Sequence, residues 1–402
     1  MARSASGSSI ASVTVRPRIG RAGAGVLAVM VMVGAAACGP PPAPRAPAPA
    51  AADRLADGIA RIVEEEVAAG RVPGAVVLVG HGGRVVYERA FGARALAPER
   101  EAMTTDTVFD AASLTKVVAT TTAVLQLVDA GRLELDAPVA RYWPAFGGGP
   151  ERLGERAGKG AITVRQLLAH TSGLRPDLDL RARWSGTDAA LARVVAERPV
   201  APPGTRVVYS DVNFVVLGEL VRRVTGEPLD RYCAARVFAP LAMRTTTFTP
   251  PEAWRSRIAP TVRERGGFLR GVVHDPTARR MGGVAGHAGL FTTAADLARF
   301  AQALLDAGRG KDTILSAHAA AAMTTPQDPA ARRGLGWELA GPEALGGGAA
   351  FSAHAFGHTG YTGTSLWIDP DADSYLVVLT NRVHPDDTGV VRPLRARLAT
   401  LV

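Results

Sequence analysis

Strand-like runs stand near both ends of this chain with a long helix-forming stretch between them, and that order restricts the fold more than any other feature. Ala75 to Gly80 and Arg84 to Phe91 are rich in β-branched and aromatic residues, and His81-Gly82-Gly83 between them signals a hairpin. Near the other end, Ser365 to Ile368 and Tyr375 to Leu379 read as strands again. Helices bracket the whole. Ile59, Ile62, Val63 and Val67 form a helical stripe that stops at Gly70, and a last helical run covers Arg392 to Leu401. Val117 to Val128 is an apolar run that predicts a buried helix ending at Gly131. Mostly helical segments joined by Gly/Pro-rich loops follow to about residue 250, and Thr293 with Asp296 opens a further helix as a capping box. The order predicts a sheet domain assembled from both chain ends, with a helical region inserted.

With 402 residues the chain can bury a large core without staples. Its two cysteines, Cys38 and Cys233, exclude a disulfide-rich scaffold or a cysteine-built zinc site. Cys233 stands alone after a helical segment and reads as a buried small hydrophobe. The net charge of +9 is partly local: Arg3, Arg16, Arg18 and Arg21 fall in the first 37 residues, which hold no acid. Elsewhere the two signs are interspersed and no basic run appears, so a nucleic-acid partner is not expected.

The N-terminus has the character of an export signal. Arg16, Arg18 and Arg21 precede an uncharged stretch from Ala22 to Ala37, short for a spanning helix, and Ala35-Ala36-Ala37-Cys38 closes it. This is similar to a bacterial lipoprotein signal, in which Cys38 becomes the lipidated first residue. Pro40, Pro41, Pro42, Pro44, Pro47 and Pro49 then make an extended spacer. The expected layout is a signal over 1–37 and a tether over 38–52. The protein would be lipid-anchored to a bacterial membrane, facing the periplasm or the cell exterior.

Lysine usage points to the chemistry. Among 46 basic residues only Lys116, Lys159 and Lys311 are lysines. Lys116 lies in the apolar run Ser113-Leu114-Thr115-Lys116-Val117-Val118, where a fixed charge is costly to bury. An amine can shed its proton there and act as a base, which a guanidinium cannot. Ser113 and Lys116 share a helix face, so the amine can activate the hydroxyl, and backbone N–H groups at the helix start can stabilise an oxyanion. On spacing alone the pair is equally a capping serine beside a snorkelling lysine.

Two further segments bear on that choice. Tyr209-Ser210-Asp211 follows the turn Pro202-Pro203-Gly204-Thr205, and Phe356-Gly357-His358-Thr359-Gly360-Tyr361-Thr362-Gly363 is a polar, Gly-rich strand edge. In order and spacing, Ser113-x-x-Lys116, Tyr209-x-Asp211 and His358-Thr359-Gly360 resemble the three motifs of the serine β-lactamase and penicillin-binding-protein superfamily. Leu167-Leu168-Ala169-His170-Thr171-Ser172-Gly173-Leu174, Pro240-Leu241-Ala242-Met243 and Gly282-Gly283-Val284-Ala285-Gly286-His287-Ala288-Gly289-Leu290 resemble its class C and esterase-like branch. The resemblance covers roughly residues 54 to 400.

The resemblance implies an α+β fold, with an antiparallel sheet flanked by helices (53–112 and 286–402) and an inserted all-helical domain (113–285). It also implies roles: Ser113 as the acylated nucleophile, Lys116 as its base, Tyr209 as the proton relay, and the N–H groups of Ser113 and Tyr361 as the oxyanion hole. Asp211, His358, Thr359, Gly360 and Tyr361 would contact substrate. Two residues depart from the pattern. Asp211 stands where Asn is usual and would hold Lys116 protonated if ionised. His358 stands where Lys is usual and is fully charged only below a pKa of about 6.5. Arg382, after the last strand, is the candidate to supply the missing charge for a substrate carboxylate.

The other histidines say less. His170 is expected to be a structural hydrogen-bonder; His274-Asp275 and His287 either line the cleft or brace loops; His354 and His358 do not suggest a metal. The expectation is therefore an exported serine hydrolase working through an acyl-enzyme, with no metal or organic cofactor, on D-alanyl cell-wall peptides or related amides and esters. The alternatives are a β-lactamase, a carboxylesterase, or a catalytically weak peptidoglycan-binding or β-lactam-sensing module.

Overall fold

A computed structural model describes residues 49–148, 158–327, 332–341 and 351–402. The signal over 1–37, Cys38 and most of the tether lie outside these residues. Helix α1 (Pro49–Ala68) begins inside the stretch read as tether, so positions 49–52 are helical. A single proline opening a helix needs no N–H there, and the alanines after it favour helix over an extended chain.

Among the described residues the main sheet contains seven strands, all antiparallel to their neighbours. From the N-terminal side come β1 (Gly74–His81), β2 (Arg84–Ala95) and β3 (Glu101–Ala102). After a short β4 (Phe109–Asp110), the hairpin β5 (Arg263–Glu264) with β6 (Gly267–Phe268), and β7 (Phe291–Thr292), the chain returns to it. It does so through β8 (Glu338–Leu339), β9 (Phe356–Thr359), β10 (Ser365–Asp369) and β11 (Ser374–Leu379). The order is β3-β2-β1-β11-β10-β9-β8, so the two ends of the chain meet where Val76 faces Leu379 and Leu78 faces Val377. β9 is not an outer strand, because two residues of β8 pair with it.

Alternation along β1 sorts the core into two layers. Ala75, Val77 and Val79 pack with Ile59, Ile62 and Val63 of α1 and with Leu394 and Leu398 of the C-terminal helix (Arg392–Leu401). Val76 and Leu78 face the opposite way, into a larger core that runs on without interruption into the helical stretch. The β5–β6 hairpin is the one strand pair of that stretch among the described residues, too short for sequence periodicity to announce.

The helices of this middle part are α2 (Thr122–Asp129), α3 (Val164–Leu168), α4 (Thr187–Ala196), α5 (Asp211–Thr225), α6 (Leu229–Cys233) and α7 (Pro276–Arg280). Then come α8 (Ala294–Gly308), α9 (Ala317–Thr324) and α10 (Arg392–Leu401). The chain is already helical from Leu114, and Lys116–Thr121 forms a π-helical lead-in to α2. Gly286 lies hard against α5: a Cβ there would sit 1.9 Å from the Phe214 carbonyl oxygen, so only glycine allows the approach. Thr120 Oγ1 donates to the Gly286 carbonyl at 2.6 Å, locking that loop to the π-turn. Thr293 caps α8 by accepting the Asp296 N–H, but the reciprocal half of the capping box is absent. Asp296 instead accepts from Thr245 N–H (2.7 Å) and Thr246 Oγ1 (2.8 Å).

Candidate active site

Ser113 is presented by a short stretch with few alternatives. Asp110 is buried at the end of β4; its Oδ1 accepts the Ala112 N–H at 2.9 Å and its Oδ2 the His274 N–H at 2.6 Å. That turn puts Ala112 at φ 48°, a left-handed conformation that costs a non-glycine residue about 1–2 kcal/mol. Ser113 follows, half-buried, directly before the helix. Burial pushes the Asp110 carboxyl up to about 6 despite its two backbone donors.

The Gly360 turn is stitched onto the same stretch. Thr362 Oγ1 donates to the Asp110 carbonyl at 2.8 Å and Thr364 Oγ1 to the Ala111 carbonyl at 2.9 Å. A Cβ on Gly360 would lie 2.1 Å from Thr364 Oγ1 and 2.7 Å from the Ala111 carbonyl oxygen, so the motif glycine is demanded by packing. Among the described residues, the N–H groups of Ser113 and Tyr361 have no hydrogen-bond acceptor.

Lys116 is fully buried; its ammonium donates to Ser113 Oγ at 2.9 Å and to the His287 carbonyl at 3.1 Å, and pairs with the Asp211 carboxylate, whose Oδ1 lies 2.7 Å away. Burial alone would discharge the amine. Asp211, with Tyr209, outweighs it and raises the pKa above that of an ordinary lysine. Two of its N–H bonds donate to Ser113 and the His287 carbonyl, while Asp211 holds the ammonium as an ion pair, so a protonated Lys116 offers Ser113 a donor rather than a base. Asp211 thus acts on Lys116 as an ionised carboxylate is expected to, holding the amine in its protonated form. The replacement of Asn by Asp at 211 is the cause.

Tyr209 and Asp211 are set by the start of α5. Ser210 caps the helix by accepting the Asn213 N–H, and its own N–H donates to His170 Nδ1 at 3.0 Å. The buried Asn213 accepts from Ser172 Oγ at 2.6 Å and donates to the Leu167 carbonyl at 3.1 Å, holding the Thr171-Ser172-Gly173 turn against α5. Tyr209 stacks on His170 at 4.4 Å, and Lys116 Nζ lies 5.1 Å from the centre of its ring.

His358 is brought to Tyr209, with ring centres 6.2 Å apart, but not as a cation. Its Nδ1–H donates to the Thr359 carbonyl at 2.8 Å. Burial, then the nearby Arg333 and Lys116, drive its pKa well below the usual imidazole value. His358 therefore faces Tyr209 as a ring biased toward its neutral form, in line with the weaker charge read at this position from the sequence. Arg382 does not compensate. Its Nη1 donates to Asp387 Oδ1 (2.9 Å) and the Gly389 carbonyl (3.0 Å), and its Nε to the Tyr361 carbonyl (2.8 Å). It braces the Tyr361 turn, where Tyr361 Oη donates to Asp387 Oδ2 at 2.8 Å and stacks on His274. Thr359 is half-buried at the end of β9, beside that turn.

Behind Lys116, His287 Nε2 pairs with Asp275 Oδ1 at 2.8 Å. Burial opposes a charge on His287, but Asp275 overrides it and raises the imidazole pKa; His287 in turn holds the Asp275 carboxyl down. Asp211, Asp275 and His287 offer ligand atoms within 4.8 Å of one another. The Lys116 ammonium already fills the cation position against Asp211, which sets this group against a metal ion. Cys233 is buried, its thiol pushed up by burial and directed at the Ala119 carbonyl.

A family model described as Beta-lactamase matches residues 59–401. The chain belongs to the β-lactamase family. Within this superfamily, which includes the penicillin-binding proteins, it is a serine hydrolase. It is 32% identical over 356 residues, 81% of each chain, to a protein of Escherichia coli O157:H7 named "Putative D-alanyl-D-alanine carboxypeptidase". It is 32% identical over 367 residues to the "N-acetylmuramyl-L-alanine amidase" of Bacillus subtilis, covering 83% of this chain and 82% of that one. The fold is similar to the crystal structure of a penicillin-binding protein homolog from Caulobacter crescentus. That match has a TM-score of 0.70 and 26% identity, over 87% of this chain and 96% of that one. Sequence reading did not pick out Asp110, three residues before Ser113, or Arg333. The Asp275–His287 pair was visible only as two separate residues.

Proposed function

We propose that this hydrolase cleaves D-alanyl cell-wall peptides through an acyl-enzyme on Ser113. One observation carries the reading: Ser113 Oγ and Lys116 Nζ are 2.9 Å apart, ahead of a helix and with two backbone N–H groups that have no acceptor among the described residues. Lys116 first releases a proton to water in the open site. Its neutral amine then takes the proton of Ser113 Oγ as that oxygen attacks the peptide carbonyl. Tyr209, against the same amine, passes its proton to the departing D-alanine nitrogen and regains one from Lys116; water then attacks the ester carbonyl, giving one proton to Lys116, which returns it to Ser113 Oγ as the acid leaves. The relative from Escherichia coli named for a carboxypeptidase, alike over most of its length, supports the choice of substrate. We place the protein outside the cytoplasmic membrane, tethered by a lipid on Cys38.

Intact-mass measurement after incubation with a D-alanyl-D-alanine peptide, penicillin and p-nitrophenyl acetate tests this. The expected result is an acyl adduct from the peptide and a penicilloyl adduct lasting hours, both lost in Ser113→Ala. Rapid turnover of penicillin with no peptide adduct would make the protein a β-lactamase. An adduct from the simple ester alone would make it an esterase.

A further inference from the structure

Arg395, on α10, is a buried cation outside every motif of the site. It is 9% exposed; burial and the nearby Arg382 work against its charge, and Glu338 favours it. Its Nη2 reaches the β9–β10 turn, donating to the Gly360 carbonyl at 2.9 Å and to the Thr364 carbonyl at 2.7 Å. Neither carbonyl would be orphaned without it. The Gly360 N–H donates to the Thr364 carbonyl at 2.7 Å and the Gly363 N–H to the Gly360 carbonyl at 3.1 Å, so the turn closes on its own backbone. Taking a guanidinium out of water is costly, and the Nε of this one has no partner among the described residues. Its place at the turn calls for a reason beyond closing it.

One of the two bonds supplies that reason. The Gly360 carbonyl and the Tyr361 N–H belong to the same peptide group, and that N–H has no acceptor among the described residues. The peptide is trans and planar, so its C=O and N–H point opposite ways, and holding the oxygen on Arg395 aims the N–H away from the guanidinium. A charged donor on the oxygen also polarises the amide and makes its N–H a stronger donor. The other braces of this turn act elsewhere. Arg382 Nε holds the Tyr361 carbonyl, which belongs to the next peptide, and the Thr362 and Thr364 hydroxyls hold the Asp110 and Ala111 carbonyls. Nor does α10 rely on Arg395 to stay docked. Leu394 and Leu398 pack in the core with α1, and Arg397 pairs with Glu65 and Glu66 of that helix.

The geometry points to Arg395 as a positioning residue that aims and strengthens the Tyr361 N–H as an oxyanion donor, acting from behind the turn through the Gly360 carbonyl. This rests on the reading of Ser113 as an acylated nucleophile, whatever the acyl donor. When Ser113 Oγ bonds the carbonyl carbon of an ester, the C=O electron pair moves onto the carbonyl oxygen. The Tyr361 N–H meets that charge until the pair returns and the leaving group departs with the electrons of its bond. Arg395 touches no substrate atom and keeps its proton throughout.

Acetylation of Ser113 by p-nitrophenyl acetate carrying an isotope-labelled carbonyl tests the role. In Arg395→Met the acylation step should slow by at least about 10-fold, short of the roughly 100-fold or more that outright loss of an oxyanion donor costs, with the half-saturating ester concentration unchanged. Isotope-edited infrared spectra of the acetyl-enzyme should place its ester C=O stretch at higher frequency than in wild type, because a weaker donor polarises the carbonyl less. Arg395→Lys, which keeps the charge and a donor, should recover most of both effects. If the Met variant does not fold, Arg395→Gln is compared with Arg395→Lys in its place. Wild-type rate and stretch in the uncharged variant, a deficit equal in it and in the Lys variant, or a change confined to Tm overturns the role and leaves Arg395 a tie for α10. If ester acetylation depends on Arg395 while no peptide acylates Ser113, the inference stands and the peptidase reading falls. Peptide acylation indifferent to Arg395 gives the reverse, and a wild-type protein that no donor acylates overturns both.

Discussion

Replacing Asp211 by Asn removes the charge that keeps Lys116 protonated while preserving a side-chain oxygen. The contact is 2.7 Å, Lys116 is fully buried and the Asp211 side chain is 22% exposed. Two unit charges at that distance couple by about 6 kcal/mol at an effective dielectric of about 20. Solvent reaching Asp211 screens part of this, and keeping half leaves about 3 kcal/mol, or about two pKa units. The sign is fixed. Without the carboxylate, burial acts on the amine with less opposition, its pKa falls, and the neutral form becomes available at lower pH. Acylation that depends on neutral Lys116 should then speed up by about 10- to 100-fold at pH 8, with the acid limb of its pH profile moved down by about two units. The assay is the second-order rate of Ser113 acylation by penicillin, followed by mass between pH 6 and pH 10. Removing one partner of a buried pair typically destabilises by about 3–5 kcal/mol, so rates must be taken well below a separately measured Tm. Slower acylation across the whole range, or an unmoved profile, would refute the reasoning and make Asp211 a required proton acceptor.

Two further outcomes follow from the surroundings of Ser113. Asp110 is raised from 3.8 to about 6 on burial, so its stabilising contribution is complete below pH 3.8 and is lost as pH rises through about 6. Urea unfolding at steps between pH 4 and pH 7 should show a slope in stability that Asp110→Asn diminishes; an identical slope in both proteins contradicts the assignment. Gly360→Ala forces a methyl group onto the Ala111 carbonyl and Thr364, which costs about 1–3 kcal/mol and pushes the Tyr361 turn away from Ser113. Acylation should fall more than about 10-fold, since an oxyanion donor is displaced, with a lower Tm; acylation at the wild-type rate would show that the turn does not supply that donor.

Much of the frame was legible because it depends on periodicity. The hairpin at His81-Gly82-Gly83, the strands at both ends and the apolar helix after Ser113 are spelled out by local patterns. The positions of Ser113, Lys116, Tyr209 and His358 were legible too, through spacing and residue type. Their charge states were not. Whether Lys116 is an amine or an ammonium depends on a carboxylate 95 positions away, and whether His358 is charged depends on burial and on Arg333. Asp110, which holds the Ser113 turn, and Arg333, which faces Tyr209, carry no local signature because each acts through contacts made only after folding. The π-turn over Lys116–Thr121 is equally silent, since its residues would suit an ordinary helix.

The pairing of β1 with β11 has a consequence for how the molecule is made. Val76 leaves the ribosome some three hundred residues before Leu379, the residue it will face. Until then the β1–β2 hairpin has one unclaimed margin, and its apolar side has α1 but not α10 to cover it. Contacts so distant along the chain form slowly, and bare strand margins invite association with other nascent chains. A chain cut short before Ser374 would therefore lose the middle of its sheet as well as its tail, and should be recovered as aggregate.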